Sequence, residues 1–340
     1  MLDTTPFVEN ILVLGDGTLA TALTAEMKKR RRYRVLDPQH KFQALSYGTP
    51  HLVPREGRPT ALPRTHRIVV ALGTQRSRLP VDVLLDAKRR GIAVEDGQHC
   101  YERLTGKLAL DQLQADDLLY SPHLCDRSLY AKLARLMSVA AALVGVIILA
   151  PLMALLSALI KWDSSGPVLF VQERIGKDGR TFPLMKFRTM RPTHRSPSEW
   201  VRDNGDRITA VGRWMRKYRL DELPQLFNVL RGDMNVIGPR PHPSSNYRLF
   251  LKQIPLYAFR TTVLPGITGW AQVRYGYAND LQEEIEKMRY DLYYIKHRSW
   301  RLDVEIVLRT FLVILLGREA PTTERPTNSG PRLDEQTGAA

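Results

Sequence analysis

The chain has 340 residues, enough for about two domains at ~150 residues per domain. Its 50 Lys and Arg against 35 Asp and Glu give a net charge of +15, which favours anionic partners such as nucleic acid, an anionic membrane face or phosphorylated small molecules. The two cysteines, Cys100 and Cys125, do not predict a disulfide framework or a structural zinc site. Residues 1–17 contain only a short apolar run and do not predict a signal peptide.

Residues 1–125 have the alternating pattern of strands and helices that predicts a Rossmann-like domain. A strand-like run, ILVLG, leads into GDGTLA and a helix-like stretch, and a second strand candidate ends at Asp37. This context matches a dinucleotide-binding fingerprint, in which glycines let the backbone approach a phosphate at a helix N-terminus. Gly15, Gly17 and Asp37 are therefore candidate nucleotide-binding residues. The alternative is a tight turn that needs small residues and binds nothing.

Residues 136–160 contain no charged side chain and are long enough for a membrane helix. Pro151 lies inside this segment, and proline removes a backbone hydrogen bond and kinks or breaks a helix. Basic residues flank both ends, namely Arg127, Lys132, Arg135 and Lys161. Because the positive-inside tendency would keep both ends cytoplasmic, the pattern favours a re-entrant helix that bends at Pro151. A kinked spanning helix and a buried core helix are the alternatives.

The C-terminal part of the chain contains a second apolar segment. Residues 302–317 have helical apolar spacing with few charges, which fits an interfacial helix or a helix packed on the protein's own core. Residues 318–340 are rich in Pro, Thr and charge and predict a disordered tail. The expected organisation is an N-terminal domain over 1–125, a membrane-associated domain over 126–317, and this tail.

Two adjacent carboxylates, Asp221 and Glu222, follow a basic stretch in RKYRLDELPQL. Apolar residues recur after them at helical spacing, and Pro224 suits the first turn of a helix, so the pair is expected at a helix N-terminus. An acidic residue at that position can serve simply as a helix cap. The segment alone therefore allows a capping role as well as a chemical one.

Three further segments carry cations and polar groups on turns or strands. KFRTM places Lys186 and Arg188 on one side of a strand, and IGPRPHP presents Arg240 on a rigid turn. LPGITGWAQVRYG is a glycine-spaced loop with Gln272 and Arg274. Together with a helix N-terminus, these segments can converge on phosphate groups. Adjacent carboxylates among such cations also suit Mg²⁺ bound to a diphosphate, because Mg²⁺ takes one or two protein carboxylates and completes its shell with phosphate oxygens and water.

Residues 125–317 resemble the bacterial sugar transferases, the monotopic polyprenyl-phosphate sugar-1-phosphate transferases or phosphoglycosyl transferases. Three long motifs carry the resemblance in the family's order: SGPVLFVQERIGKDGRTFPLMKFRTM, RKYRLDELPQLFNVLRGDMNVIGPRP and LPGITGWAQVRYGYA. GYANDLQEEIEKMRYDLYYIKHRS is most similar to members that initiate exopolysaccharide synthesis.

The resemblance implies transfer of a sugar-1-phosphate from a UDP-sugar to undecaprenyl phosphate with release of UMP. It also implies an α/β phosphoglycosyl transferase domain on a re-entrant membrane helix with interfacial helices. This domain would face the cytoplasm at the bacterial inner membrane, and a homodimer is compatible with it. Relatives often bend this helix at Ser-Pro, whereas this chain has Ala150-Pro151, so the bend would depend more on Pro151 alone.

The resemblance also implies roles for individual residues. Asp221 would be the nucleophile that forms a covalent phosphosugar intermediate, and Glu222 would assist it and, with Mg²⁺, organise the diphosphate. The cations at phosphate-binding motif positions are Lys186, Arg188, Arg216 and Arg240. Asp303, in RLDVEI, matches a further acid of the family, and Gln272 and Arg274 are additional candidates.

The alternative function is a nucleotide- or nucleic-acid-binding regulatory protein, which the net charge and the GDGTLA unit would fit. The uncharged segment 136–160 and the lack of a recognisable DNA-binding motif argue against it. We therefore expect no nucleic-acid partner.

Overall fold

The computed structural model describes residues 8–15, 17–36, 65–72, 79, 81–110, 118, 129–191, 207–276, 278 and 280–316. The chain is a mixed α/β protein with one long apolar helix, and it divides into two compact units, Met1–Pro122 and His123–Ala340. The nucleotide contact predicted for Asp37 and the tail predicted for 318–340 lie outside the described residues.

The first unit is built on a four-stranded parallel sheet in the order β2-β1-β3-β4. Its strands are β1 (Glu9–Leu14), β2 (Tyr33–Leu36), β3 (Arg67–Val70) and β4 (Ala93–Asp96), and its helices are α1 (Thr18–Lys28), α2 (Val81–Arg89) and α3 (Gly97–Thr105). Ile11 and Val13 of β1 pack with α1 and α3, whereas Leu12 and Leu14 pack with α2. Successive side chains of a strand point to opposite faces, so helices cover both faces of the sheet.

Gly15 allows β1 and the segment after β3 to approach closely. Its φ of 141° lies in a region that glycine adopts and other residues rarely do. A Cβ at this position would lie 2.2 Å from the carbonyl oxygen of Ala71, whose own N–H donates to the Leu14 carbonyl at 2.6 Å. Gly17 is the N-cap of α1 and has extended backbone. The close approach of the backbone is therefore a sufficient structural reason for Gly15.

We expect Gly15→Ala to lower the free energy of unfolding of the first unit by about 3 kcal/mol, because the new methyl group meets backbone atoms and φ is strained. The matched control is Gly91→Ala, where φ is 80° but a Cβ would meet nothing within 4 Å. This control should lose only the ~1 kcal/mol of a positive φ. Urea unfolding, with amide hydrogen exchange of β1 and β3 as the probe, measures the loss of unfolding free energy in both variants. Equal losses in the two variants would contradict the clash at Gly15.

The second unit begins with the long helix α4 (Leu129–Asp163), followed by the antiparallel hairpin of β5 (Leu169–Ile175) and β6 (Thr181–Phe187). A parallel pair is formed by β7 (Asn235–Ile237) and β8 (Gly266–Thr268). The other helices are α5 (Ala210–Lys217), α6 (Gln225–Arg231), α7 (Ser244–Gln253), α8 (Trp270–Arg274), α9 (Leu281–Lys296) and α10 (Trp300–Leu316). Short 3₁₀ turns occur at Lys177–Gly179, Leu220–Glu222 and Tyr257–Thr262.

Helix α4 contains the predicted apolar segment 136–160 and extends beyond it at both ends. Its most apolar window of 18 residues has a mean hydropathy of 2.8, and only 11% of that window is buried. A core helix of a soluble protein would be mostly buried, so this exposure argues against the core alternative. Helical structure is present on both sides of Pro151.

Two arginines satisfy carbonyl groups at helix ends. Arg135 of α4 donates to the carbonyls of Val229 and Met234, both at 2.6 Å, at the end of α6 and just after it. Arg188, just after β6, donates to the Ser164 carbonyl at 2.7 Å, directly beyond the end of α4. Val229 is one of the last carbonyls of α6, which lack the usual donor within a helix, and the carbonyls of Met234 and Ser164 follow the ends of α6 and α4. These bonds attach α4 to α6 and to β6.

Helix α10 packs one face on the second unit and leaves another exposed. Leu302 and Ile306 are buried, whereas its large apolar side chains that are more than half exposed are Val304, Leu308, Phe311, Leu312, Leu315 and Leu316. A broad apolar face on an otherwise amphipathic helix is typical of a membrane interface. The exposure therefore favours the interfacial interpretation for this helix.

Asn228 joins α6 to β6 through its side chain, which is fully buried. Its Nδ2 donates to the Pro183 carbonyl at 2.8 Å, and its Oδ1 accepts from the Met185 N–H at 3.0 Å. Nδ2 also lies 3.1 Å from Asp233 Oδ2. The amide thus fixes the register of α6 against the strand immediately before Lys186.

We expect Asn228→Leu to lower the free energy of unfolding by about 3 kcal/mol, because leucine has a similar volume but leaves the N–H of Met185 and the carbonyl of Pro183 unpaired. The control is Asn235→Ala, which removes one acceptor from Arg135 and leaves its bonds to Val229 and Met234. This control should cost less than about 1 kcal/mol. Thermal unfolding of the purified protein in detergent compares them, and similar losses would argue against the bridging role.

Candidate active site

Asp221 and Glu222 lie on the 3₁₀ turn Leu220–Glu222, between α5 and α6. Both are buried, with 8% and 5% of their surface exposed. Arg219 precedes them with φ of 55°, a left-handed conformation that reverses the chain after α5. The N-cap of α6 is Pro224, and no side chain caps this helix. The helix-cap alternative for the two acids is therefore wrong, because the pair lies before the cap position.

Glu222 is surrounded by cations from three segments. Arg240 donates from Nη2 to Glu222 Oε1 at 2.7 Å, and Lys186 Nζ lies 3.7 Å from the same oxygen. Arg219 Nη1 lies 4.0 Å from Oε2. Burial acts to raise the pKa of Glu222, but Arg240, Lys186 and Arg219 hold that pKa well below its usual range. Glu222 is therefore a fixed anion that organises the cations around it.

Asp221 has a different environment from its neighbour. Within the described part of the chain, no side chain donates a hydrogen bond to its carboxyl group. Burial and the nearby charge of Glu222 raise the pKa of Asp221, whereas Lys186, Arg216 and Arg240 act to lower it. The carboxyl oxygens of Asp221 thus lie near positive charges but accept no side-chain hydrogen bond from the described residues. Of the two acids, Asp221 has the lone pairs available for an incoming electrophile.

Lys186 lies at the end of β6, facing both acids. Burial and the charge of Arg240 lower the pKa of Lys186 to about 8, although Glu222 and Asp221 oppose this change. The ammonium group therefore loses its proton within an accessible pH range, which an arginine in the same place would not do.

A buried ion pair supports the loop that carries Arg240. Arg260 donates from Nη2 to the Arg240 carbonyl at 3.1 Å and from Nε to Asp291 Oδ2 at 2.9 Å. Asp291 shares one buried face of α9 with Glu284 and Lys287. The sequence pattern alone does not single out these residues. The available signal was charge at helical spacing, but such a pattern usually predicts a solvated face.

The structure brings together most of the predicted phosphate-binding cations. Lys186, Arg216 and Arg240 all act on the charge of Asp221. The described contacts of Arg188 are instead with the end of α4, including the Ser164 hydroxyl at 3.0 Å. The phosphate-binding role of Arg188 stays a prediction.

Asp303 makes contacts away from the two acids. Its oxygens accept hydrogen bonds from the hydroxyls of Tyr130 at 2.6 Å and Tyr294 at 3.2 Å. These residues line a cavity of about 630 Å³ between α4, α9 and α10. Burial raises the pKa of Asp303, although both hydroxyls act to lower it. The described contacts thus give Asp303 a role in attaching α4 to α9 and α10.

Gln272 and Arg274, the two candidates from the glycine-spaced loop, have different surroundings in the structure. Gln272 of α8 is buried, and its Nε2 donates to the Ile267 carbonyl at 2.8 Å. Its side chain lines a cavity of about 120 Å³ that also includes Glu222. The guanidinium of Arg274 instead lies 5.1 Å from the ring centre of Trp270. Gln272 is therefore beside the acids, whereas Arg274 packs on an aromatic ring.

Comparison with known proteins gives a consistent result. The chain is 44% identical over 220 residues to a UDP-N-acetylgalactosamine-undecaprenyl-phosphate N-acetylgalactosaminephosphotransferase of Aeromonas hydrophila, an alignment that covers 64% of this chain and 51% of that protein. It is 42% identical over 169 residues to a UDP-glucose:undecaprenyl-phosphate glucose-1-phosphate transferase of Xanthomonas campestris pv. campestris, covering 48% of this chain and 35% of the relative. The chain thus spans about half or less of the length of these two relatives.

A relative of the same description from Caulobacter vibrioides is 42% identical over 179 residues, covering 52% of this chain and 67% of that protein. The family model for bacterial sugar transferases matches residues 129–317, more than half of the chain. The resemblance carried by the three motifs is confirmed, and the chain belongs to the bacterial sugar transferase family.

Proposed function

We propose that the protein transfers a sugar-1-phosphate from a UDP-sugar to undecaprenyl phosphate, with release of UMP, as the first membrane step of exopolysaccharide or glycoconjugate synthesis. The observation that carries the proposal is the buried acid pair, in which Arg240 and Lys186 bind Glu222 while Asp221 is left unbonded among the described residues. The names of the relatives, which describe sugar-phosphate transfer to undecaprenyl phosphate, support this chemistry.

The reaction proceeds by two displacements at one phosphorus atom. A carboxylate oxygen of Asp221 attacks the phosphorus that bears the sugar, and the bond from this phosphorus to the UMP oxygen breaks, so that UMP leaves with the electron pair. An oxygen of undecaprenyl phosphate then attacks the same phosphorus and releases the Asp221 carboxylate. A covalent carboxylate intermediate divides the transfer into two steps and predicts ping-pong kinetics.

The cations around the pair stabilise charge on the phosphoryl oxygens. Lys186 and Arg240 are held in place by Glu222, so they are oriented before the substrate binds. Arg216 adds positive charge near Asp221 and helps to keep the nucleophile ionised. Glu222 therefore acts as a positioning residue for these cations.

The acid pair also fits Mg²⁺, provided that the substrate supplies further ligands. The described residues contain no group of three or more acidic, His or Cys side chains suited to a metal, so the protein alone does not complete a site there. Asp221 and Glu222 would offer one or two carboxylate ligands, and diphosphate oxygens and water would complete the shell. The ion would neutralise charge on the diphosphate.

We propose that α4 is re-entrant and bends at Pro151, and that α10 lies in the membrane interface. The catalytic domain then faces the cytoplasm at the inner membrane. Support comes from the exposure of α4 and α10 and from the basic residues at both ends of α4. We further propose that the first unit is Rossmann-like and binds a nucleotide, which its parallel sheet and the glycine at the N-cap of α1, Gly17, support.

Asp221→Asn is expected to lower UMP release from UDP-sugars by more than about 1000-fold, because the amide cannot attack phosphorus. The control is Asp178→Asn, an exposed aspartate with φ of 56° where asparagine is also tolerated, and it should retain normal activity. UMP release is measured in membranes with undecaprenyl phosphate over a panel of UDP-sugars. Near-normal release by Asp221→Asn would rule out the proposed nucleophile.

The pH dependence of kcat/KM for the donor should be bell-shaped. Activity requires Asp221 ionised, so it falls as the pH drops through the raised pKa of that group, and it requires Lys186 protonated, so it falls as the pH rises through about 8. Lys186→Arg should keep its charge and move the alkaline limb to higher pH. Lys252→Arg, an exposed lysine of α7, is the control and should leave the limb in place. An unchanged limb in Lys186→Arg would show that another group causes it.

A further inference from the structure

The cavity of about 120 Å³ beside Glu222 is lined both by the 3₁₀ turn that carries the acid pair and by α10. One end of it is formed by Arg219 and Glu222 on the 3₁₀ turn and its N-cap. Another part of the wall is formed by Thr310, Val313 and Ile314 of α10. Ile314 is 37% exposed, and the next residue, Leu315, is 64% exposed, so this wall belongs to the same apolar surface that faces the membrane interface.

Much of the remaining lining is apolar and consists of Leu223, Leu226, Ile267 and Val273. Thr310 has its hydroxyl 2.7 Å from that of Thr268, so these two polar groups satisfy each other. Gln272 also lines the cavity, and its Oε1 is buried without a hydrogen-bond partner in the described part of the chain. The apolar part of the lining suits a hydrocarbon better than a sugar, because the several hydroxyls of a sugar would find few hydrogen-bond partners there.

The size and charge of the cavity specify its occupant further. A dry apolar cavity of ~150 Å³ binds benzene, with its six carbons, so the volume here accommodates the five carbons of one isoprene unit. The polar end has Arg219, with Lys186 and Arg240 adjacent on Glu222, which complements a phosphate group. A molecule with a phosphate group and a branched hydrocarbon tail fits this cavity, with the phosphate at the polar end and the tail against the apolar side chains.

We propose that this cavity binds the first isoprene unit of the polyprenyl phosphate acceptor, with its phosphate beside Arg219 and Asp221 and its remaining tail along α10; this inference rests on the proposed function. Val313 is then a specificity-determining residue for the second displacement, in which the acceptor oxygen attacks phosphorus and the Asp221 carboxylate leaves. The UDP-sugar reaches the acids without entering the cavity.

The test separates the two displacements in the full-length protein. Val313→Trp fills the cavity, whereas Leu312→Trp places the same side chain on the neighbouring position, which is 54% exposed and does not line it. UMP release in a single turnover without acceptor measures the first displacement and also reports folding. The KM for undecaprenyl phosphate in detergent micelles measures the second.

Val313→Trp should raise the KM for undecaprenyl phosphate at least about tenfold and leave single-turnover UMP release within about twofold of normal. Leu312→Trp should change neither quantity. An unchanged acceptor KM in Val313→Trp would overturn the proposal. Loss of single-turnover UMP release in Val313→Trp with normal Leu312→Trp would also count against it, because the cavity would then serve the donor, for example through Gln272.

Val313→Ala keeps the proposal testable if the tryptophan prevents folding. This variant removes contacts with the isoprene unit without adding volume, so the acceptor KM should rise about 3- to 10-fold with the first displacement intact. An unchanged acceptor KM in Val313→Ala would overturn the proposal. Failure of the wild-type protein to release UMP from any UDP-sugar would instead contradict the proposed function.

Discussion

The contact between Glu222 and Arg240 is the interaction on which the second unit depends most. It joins the 3₁₀ turn after α5 to the loop after β7, and Lys186 of β6 approaches the same carboxylate oxygen. Because Glu222 is buried, removing its carboxylate would leave Arg240 and Lys186 without this counter-charge, and breaking a buried pair costs about 3–5 kcal/mol. Arg260 then holds the Arg240 backbone in place, and Asp291 of α9 holds Arg260. Three segments distant in sequence are thus fixed around one anion.

This arrangement explains why two adjacent acids behave differently. Glu222 points into the cations and is ionised by them, whereas Asp221 lies beside the positive charge without a bonded donor among the described residues. Groups whose environments push their pKa values apart are typical of sites that perform chemistry. The left-handed conformation of Arg219 belongs to the same arrangement, because it turns the chain so that both acids become buried.

Local patterns predicted the elements of the site well. The strand with Lys186, the turn with Arg240 and the long apolar helix could be inferred because periodicity and turn residues act over short distances. The acids were expected at the N-terminus of α6, but they lie on a separate 3₁₀ turn before it, since Pro224 takes the cap position. The contact of Arg188 with the end of α4 and the two tyrosines around Asp303 depend on tertiary packing, which spacing does not encode. The buried charges of α9 were missed because the same spacing suits an exposed face.

The two arginine contacts of α4 have a consequence for protein engineering. Removing residues 129–163 to obtain a water-soluble enzyme would delete more than an anchor. The carbonyls of Val229 and Met234 would lose the guanidinium of Arg135. Arg188, directly after the strand that carries Lys186, would lose the Ile160 carbonyl, which accepts from its Nη2 at 3.4 Å. A soluble variant is better obtained by replacing the exposed apolar residues of α4 with polar ones. Arg135, Ser164 and the helix between them would then be retained.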